Sequence, residues 1–325
     1  MMGKRKIYVL ACGGTIAGKA ASADDLTGYE AGKTSIGELL DAVPALSDYA
    51  EVKGEQFVNI DSSDMTEALW QALSSRVQEV ADRDDVDGIV ITHGTDTMEE
   101  TAYYLNLTVH TRKPVVLTGS MRPATAISAD GPLNLLEAVQ AAADEALGDC
   151  GVVIVMNSVI HSARFVEKTD TTHVDTFKAR QLGCLGYMQD GRVRLYQKPL
   201  RKHTFSSDLV SPLTLPAVAV VYACVGLRAD DVVQMARGKE GLVMAGLGHG
   251  KMPAPVWTAL KPLMEEGLVV VRAARSLGGL VTPVPSYEGT VTADSLTPQK
   301  AKILLQLALC RTKDLSEIQA FFDAY

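Results

Sequence analysis

Cysteine is scarce and unpatterned in this chain. Its five residues, Cys12, Cys150, Cys184, Cys224 and Cys310, show no CxxC spacing, and an odd number cannot all pair internally. A disulfide framework is excluded, and the five read as reduced packing residues. Positive charge is also short: 31 Lys and Arg face 39 Asp and Glu, for a net charge of -8. Binding to a phosphate backbone needs clustered Lys and Arg, so nucleic acid is excluded as the main partner. Long apolar runs are missing too. The longest uncharged apolar run, around Leu215 to Leu227, falls short of the roughly 18 residues that span a bilayer, which predicts a soluble protein without a membrane partner. The six histidines, at 93, 110, 161, 173, 203 and 249, form no HExxH or ligand-like pair, so no metal site is predicted. No P-loop and no GxSxG elbow occur, and GxGxxG does not fit the glycines near the amino terminus.

What is present is ordinary globular material, 47% hydrophobic and 22% charged. Lys4-Arg5-Lys6, the apolar Ile7 to Ala11 and Ala21-Ser22-Ala23 imitate a secretory signal. The apolar segment is only about five residues, below the roughly 7–15 of a signal core, so it reads as a first strand and the location as cytoplasmic. Short, β-branched, nearly continuous apolar runs at Ile7–Cys12, Gly88–Thr92, Pro114–Thr118 and Gly151–Met156 fit parallel strands covered on both faces. Helical patterns at Ile36–Val43, Met65–Val80, Met98–Leu107 and Pro132–Leu147 alternate with them. A second series has strands at Ala217–Tyr222, Leu242–Ala245 and Leu268–Arg272, with helices at Asp230–Arg237, Val256–Glu265 and Pro298–Leu309. The prediction is an α/β protein: a larger N-terminal domain with a doubly wound, mostly parallel sheet (1–196), a polar, proline-bounded linker (197–216) and a smaller C-terminal α/β domain (217–325).

Chemistry concentrates at two Gly-Thr turns. In Gly88 to Leu105, GIVITHGTDTMEETAYYL, a strand gives way at His93-Gly94 to a polar loop and then to a helix, with capping-box spacing between Thr97 and Glu100. Gly94, Thr95 and Asp96 therefore sit at a strand's carboxyl end and a helix's amino end, where exposed N–H groups favour anionic groups. The first strand ends in a similar way, in Cys12-Gly13-Gly14-Thr15. Taken alone, Thr15 is more often a turn residue than a nucleophile, and the same plain reading makes Thr95 and Asp96 caps of the following helix. His93 reads as a support for its loop through hydrogen bonds.

Taken together, ACGGTIAG at 11–18, TGYEAG at 27–32, ITHGTDTMEETAYYL at 91–105, SADGPLNLLEAV at 128–139 and LTPQKAKILLQLAL at 296–309 resemble the bacterial L-asparaginase family, almost end to end. The resemblance implies an amidohydrolase that converts L-asparagine and water to L-aspartate and ammonia without a cofactor, through an acyl-threonine intermediate. It implies that Thr15 is the nucleophile and Thr95 a second threonine facing it. Tyr29 would contact Thr15 from a lid at Ala23–Lys33, and Lys168 would pair with Thr95 and Asp96. Asp96 would bind the substrate's α-ammonium and Ser62 its α-carboxylate. Ser63 stands where many relatives carry Gln or Glu, and His249 and Lys251 replace asparagines in AGLGHGKM. The resemblance also implies a homotetramer, a dimer of dimers, in which a neighbour brings an acidic residue to each site, with Glu288 a candidate. A dual glutaminase-asparaginase and a non-catalytic α/β module remain the alternatives.

Overall fold

The computed structural model describes residues 3–25, 28 and 32–325. The chain divides into two compact units, 1–208 and 209–325. In the first, strands β1 (Arg5–Gly13), β2 (Ala50–Ile60), β3 (Gly88–Thr92), β4 (Val115–Thr118), β5 (Val152–Met156) and β6 (Val159–Ser162) precede a two-residue pair, β7 (Glu167–Lys168) and β8 (Phe177–Lys178). A hairpin, β9 (Gly186–Gln189) and β10 (Arg192–Leu195), follows. The main sheet runs β10-β9-β6-β5-β4-β3-β1-β2. β2, β1, β3, β4 and β5 are parallel to their neighbours, whereas the β5–β6, β6–β9 and β9–β10 pairs are antiparallel. The sheet is thus mostly parallel, with an antiparallel extension that the apolar runs do not announce. In β3, β4 and β5 every residue is buried, as parallel strands with helices on both faces require.

The helices of this unit are α1 (Ile36–Asp41), α2 (Leu46–Tyr49), α3 (Glu67–Ala81), α4 (Met98–Thr108) and α5 (Gly131–Ala142). One face of the sheet packs an apolar cluster that includes Leu73, Val77, Met98 and Leu105 from α3 and α4; the other packs Leu39, Leu135, Ala138 and Val139 from α1 and α5. Strand order reverses between β1 and β3, since β2 lies on one side of β1 and β3 to β5 lie on the other. Ligands of open α/β sheets bind outside the carboxyl ends of strands at such a switch point.

Of the segment expected to be a linker, residues 203–207 fold against the first unit. His203 is buried, and the Ser207 hydroxyl donates to the Leu107 carbonyl at 2.5 Å. The second unit has a parallel sheet β11-β12-β13-β14, comprising Val218–Tyr222, Gly241–Gly246, Val269–Ala274 and Val291–Thr292. Its helices are α6 (Ala229–Ala236), α7 (Ala254–Glu265), α8 (Pro298–Leu309) and α9 (Leu315–Ala324). Its carboxyl-end loops are tied together by Arg272 of β13, which has no exposed surface. The guanidinium donates to the His249 carbonyl (3.2 Å), the Thr282 carbonyl (2.8 Å) and the Thr290 hydroxyl (3.0 Å), and lies 4.8 Å from the centre of the Tyr287 ring. All five cysteines are free. Cys12 and Cys150 are buried packing residues as expected, but Cys224 and Cys310 are exposed, which corrects that reading for these two.

Candidate active site

Three strand ends converge at the switch point, and glycine is what lets them touch. Gly13 and Gly14 have φ of 93° and 82°, left-handed values that side-chain-bearing residues rarely adopt. The Gly14 N–H donates to the Ile60 carbonyl at 2.9 Å. A methyl group on Gly14 would lie 2.3 Å from the Gly94 Cα, and one on Gly94 would lie 2.6 Å from the Ser62 Oγ. The loops after β1, β2 and β3 are therefore in backbone contact. β2 reaches this point through a register shift: Ala11 pairs with Gln56, but Gly13 pairs with Ile60, so β2 spends two more residues than β1 over the same span.

Thr15 and Thr95, each following one of the two touching glycines, are both buried. Ser62 is buried beside them; its Oγ accepts the Asp96 N–H at 3.2 Å, and its carbonyl accepts the Thr97 hydroxyl at 2.8 Å. The expected capping box does not form: helix α4 does begin after Thr97, but the Thr97 side-chain oxygen accepts no N–H from it, and the hydroxyl is turned to donate to the Ser62 carbonyl. Ser63 is exposed, and both its N–H and its hydroxyl donate to Asp61 Oδ1, at 2.9 and 2.8 Å. Lys168, at the end of β7, donates through Nζ to the Thr95 Oγ1 at 3.0 Å and to the Asp96 Oδ1 at 2.5 Å. Asp96 is 60% exposed at its side chain and Lys168 is 16% exposed, so solvent screens the pair and its role is more positional than energetic.

The structure thus brings together Ser62, Gly94, Thr95, Asp96 and Lys168, with Thr15 one residue from the Gly14–Gly94 contact. Tyr29 lies outside the described residues. The two ends of the expected lid are pinned: Ile127 N–H donates to the Ala23 carbonyl, and Lys33 and Thr34 N–H both donate to the Ala17 carbonyl, at 2.7 and 2.9 Å. Asn59 of β2 also donates to the Gly32 carbonyl. Glu99 is a support that sequence reading passes over. Buried in the first turn of α4, it accepts the Lys168 backbone N–H at 2.5 Å, a contact across 69 residues that leaves no local pattern.

His93 lies beneath the loop with 1% exposure. Its Nδ1 is 2.7 Å from the Gly94 carbonyl oxygen and its Nε2 is 3.0 Å from the Thr101 Oγ1, which also accepts the Trp70 indole N–H at 2.8 Å. Burial depresses its pKa to about 4, so the ring is neutral near pH 7. In the second unit, His249 Nε2 is 3.0 Å from the Thr282 hydroxyl, and Lys251 and Glu288 are exposed. A cavity of about 610 Å³ in that unit, lined by Trp257, Lys261, Glu265, Glu288 and Lys313 among others, contains none of the converging residues. Among the described residues, no group of three His, Cys, Asp or Glu side chains is placed to hold a metal ion, and no helix is long and apolar enough to cross a membrane.

Known proteins carry the same architecture along their whole length. Residues 6–201 match the family described as "Asparaginase, N-terminal", and residues 217–322 match "Glutaminase/Asparaginase C-terminal domain". The L-asparaginase 2 of Escherichia coli (strain K12) is 46% identical over 98% of this chain and 93% of its own. A glutaminase-asparaginase of Acinetobacter glutaminasificans is 39% identical over 99% of this chain and all of its own. A crystal structure titled as a probable cytoplasmic L-asparaginase from Campylobacter jejuni superposes with a TM-score of 0.96, at 42% identity, covering 99% of this chain and 100% of that one. With both halves matched and full-length relatives at these identities, the chain belongs to the asparaginase family.

Proposed function

We propose that the protein is an L-asparaginase, hydrolysing L-asparagine to L-aspartate and ammonia. The observation that carries this reading is the set of hydrogen bonds from Lys168 Nζ to Thr95 and Asp96, beside Ser62 and the Gly14–Gly94 contact, at the switch point of a sheet in this family. The substrate is a zwitterion with a side-chain amide, and the polar groups here match that pattern. The Ser62 oxygen already accepts the Asp96 N–H, so its own proton is left to donate to an α-carboxylate. Asp96, partly exposed, supplies the counter-charge for the α-ammonium.

In this reading the Thr15 hydroxyl oxygen forms a bond to the amide carbon while its proton leaves to a base. Either Tyr29 or the Thr95–Lys168 pair takes that proton. Thr95 Oγ1 is already an acceptor for Lys168, so its own proton is available for relay to the leaving nitrogen. The C–N bond breaks, ammonia departs, and water cleaves the acyl-threonine to release aspartate and regenerate Thr15. The Thr95 N–H makes no hydrogen bond among the described residues, which suits it to receive developing negative charge on the amide oxygen.

Ammonia release from asparagine by the purified protein tests the activity, and binding of aspartate without any release of ammonia would overturn it. A dual glutaminase-asparaginase is the second reading, favoured by relatives of that name at 39–40% identity. The same proposal includes a homotetramer built as a dimer of dimers, with a neighbour's second unit completing each site, and a cytoplasmic location. Closed symmetric assembly is usual for soluble enzymes, and an active monomer in light scattering would refute shared sites.

A further inference from the structure

The polar chain beneath the Thr95 loop leaves no freedom in where its protons lie. Trp70 Nε1 only donates and the Gly94 carbonyl only accepts. The Trp70 N–H therefore occupies a lone pair of Thr101 Oγ1, and the His93 Nδ1 must carry the proton that meets Gly94. A neutral ring then has a bare Nε2, and the Thr101 hydroxyl proton fills it. Trp70 comes from α3, Thr101 from α4 and His93 from the end of β3, so the relay fastens two helices to one loop. Trp70 is fixed in turn by stacking on Tyr104, ring centres 5.3 Å apart.

The receiving carbonyl shares a peptide with the Thr95 N–H. No cis peptide bond occurs among the described residues, and in a trans peptide the N–H points opposite to the carbonyl. Fixing the Gly94 oxygen onto His93 therefore turns the unbonded Thr95 N–H away from the relay. We propose that His93, locked in its Nδ1–H tautomer by Thr101 and Trp70, is a positioning residue that sets the Gly94–Thr95 peptide and with it the Thr95 N–H and hydroxyl. This rests on the reading that Thr95 works in amide hydrolysis.

Two substitutions separate the halves of the ring. In His93→Asn the side-chain amide nitrogen takes the place of Nδ1 and keeps a donor for Gly94; in His93→Gln the terminal amide takes the place of Nε2 and keeps only the Thr101 contact. A misplacement of about 1 Å remote from the chemistry costs as much as 10²-fold in rate, so His93→Gln is expected to lose about 100-fold in kcat with KM within about threefold, and His93→Asn no more than about fivefold. Thr101→Val strips the relay of its middle member and is expected to lower kcat about tenfold, whereas Thr101→Ser restores it to within about threefold. Nitrogen-15 spectra of histidine-labelled protein, with the His93 signals identified by their loss in His93→Asn, are expected to show a protonated Nδ1 and a bare Nε2, and to change in Thr101→Val but not in Thr101→Ser. Equal kcat for His93→Asn and His93→Gln, with equally lowered melting temperatures, would reduce the relay to core filler. An Nε2–H tautomer in the wild type would overturn the assignment outright. The tautomer measurement needs no substrate, so it decides the relay even if the wild-type protein releases no ammonia, a result that would instead count against the asparaginase reading.

Discussion

Both units of this protein must hold loops at the carboxyl ends of parallel strands, and they do so with opposite kinds of buried group. In the first unit the centre is His93, a ring that burial keeps neutral, bonded to one carbonyl and one hydroxyl. In the second it is Arg272, a cation with no carboxylate partner among the described residues, spread over two carbonyls, a hydroxyl and an aromatic face. Burial lowers the Arg272 pKa, but a guanidinium stays charged in proteins. Each solution fits what lies above it. The loop over His93 presents Thr95 and Asp96, which Lys168 of β7 contacts, a set whose electrostatics a fixed charge underneath would bias. Among the described residues, the loops over Arg272 present no such set within their own unit, and a permanently charged staple holds them.

The proposed reading puts the reacting groups in the first unit, and the largest expected effect tests that. Thr15→Ala and Thr95→Val are each expected to remove several powers of ten in turnover while leaving the fold intact, as loss of a nucleophile or its activating network does. Ammonia assays paired with circular dichroism check it, and retention of more than about a tenth of wild-type activity by Thr15→Ala would refute the nucleophile assignment.

Next in size is the charged staple. Three hydrogen bonds to a charged donor, each worth about 1.5–3 kcal/mol, are set against a desolvation penalty of several kcal/mol. Arg272→Met is therefore expected to destabilise the second unit by about 3 kcal/mol, with two carbonyls left unpaired. Thermal melts read this directly, and a variant as stable as wild type would mean the loops need no central cation.

The two centres also differ in their response to acid. An unfolded histidine titrates near 6.5, whereas folded His93 titrates at about 4. Between these values the unfolded chain holds a proton that the folded ring refuses, so stability is full above about pH 6.5 and is lost as pH falls toward about 4, by up to about 3 kcal/mol. Arg272 adds no such dependence. Urea midpoints at about pH 7 and about pH 4.5 are expected to diverge in wild type and to converge in His93→Asn. An equal acid loss in that variant would place the sensitivity elsewhere.

The smallest effect concerns substrate choice. One methylene separates glutamine from asparagine, so kcat/KM is expected to favour asparagine by about tenfold or more, near 1.4 kcal/mol. Ser63 is short and its hydroxyl is turned back onto Asp61, so it offers no long side chain to a displaced α-ammonium. Ser63→Gln is expected to narrow the ratio. An unchanged ratio would clear Ser63 and shift the cause to His249 and Lys251, while similar values for the two substrates in wild type would favour dual specificity.

How much of this was legible in the sequence depended on what each feature needs from its neighbours. β3, β4 and β5 are buried on both faces, so their apolar runs announce them; Gly13, Gly14 and Gly94 mark close backbone approach by their identity. β2 is half exposed and carries Glu51, Lys53 and Glu55, so it has no apolar run to read, and its two-residue register shift is set by pairing with β1. The antiparallel β6, β9 and β10 are too short to stand out. At the site, residue types and spacing point to Thr15, Thr95 and Asp96 as candidates, but Lys168 emerges only by family resemblance, and its contact with Glu99 only in three dimensions. Thr97 shows the limit of local rules, since its hydroxyl is oriented by a bond to the Ser62 carbonyl, 35 residues away, rather than toward the first turn of its own helix.

The contact between Gly14 and Gly94 also bears on how this protein can change. At most packed positions an enlarged side chain is absorbed when its neighbour shrinks, and that exchange gives mutation a two-step route. Here both neighbours are already the smallest residue available, and Ser62 backs one of them at a distance that leaves no room for a methyl group. At Gly14 the atoms nearest an added methyl group are backbone of His93 and Gly94, so no neighbour can shrink to receive it; at Gly94 the group that would have to shrink is Ser62, which binds substrate in the proposed reading. The remaining adjustment is to shift β1 against β3, which would break a register of five paired residues. A library meant to diversify this enzyme is therefore better spent on Ser63 and the exposed loops of the second unit than on the glycines, where a change at Gly14 meets backbone and one at Gly94 meets Ser62.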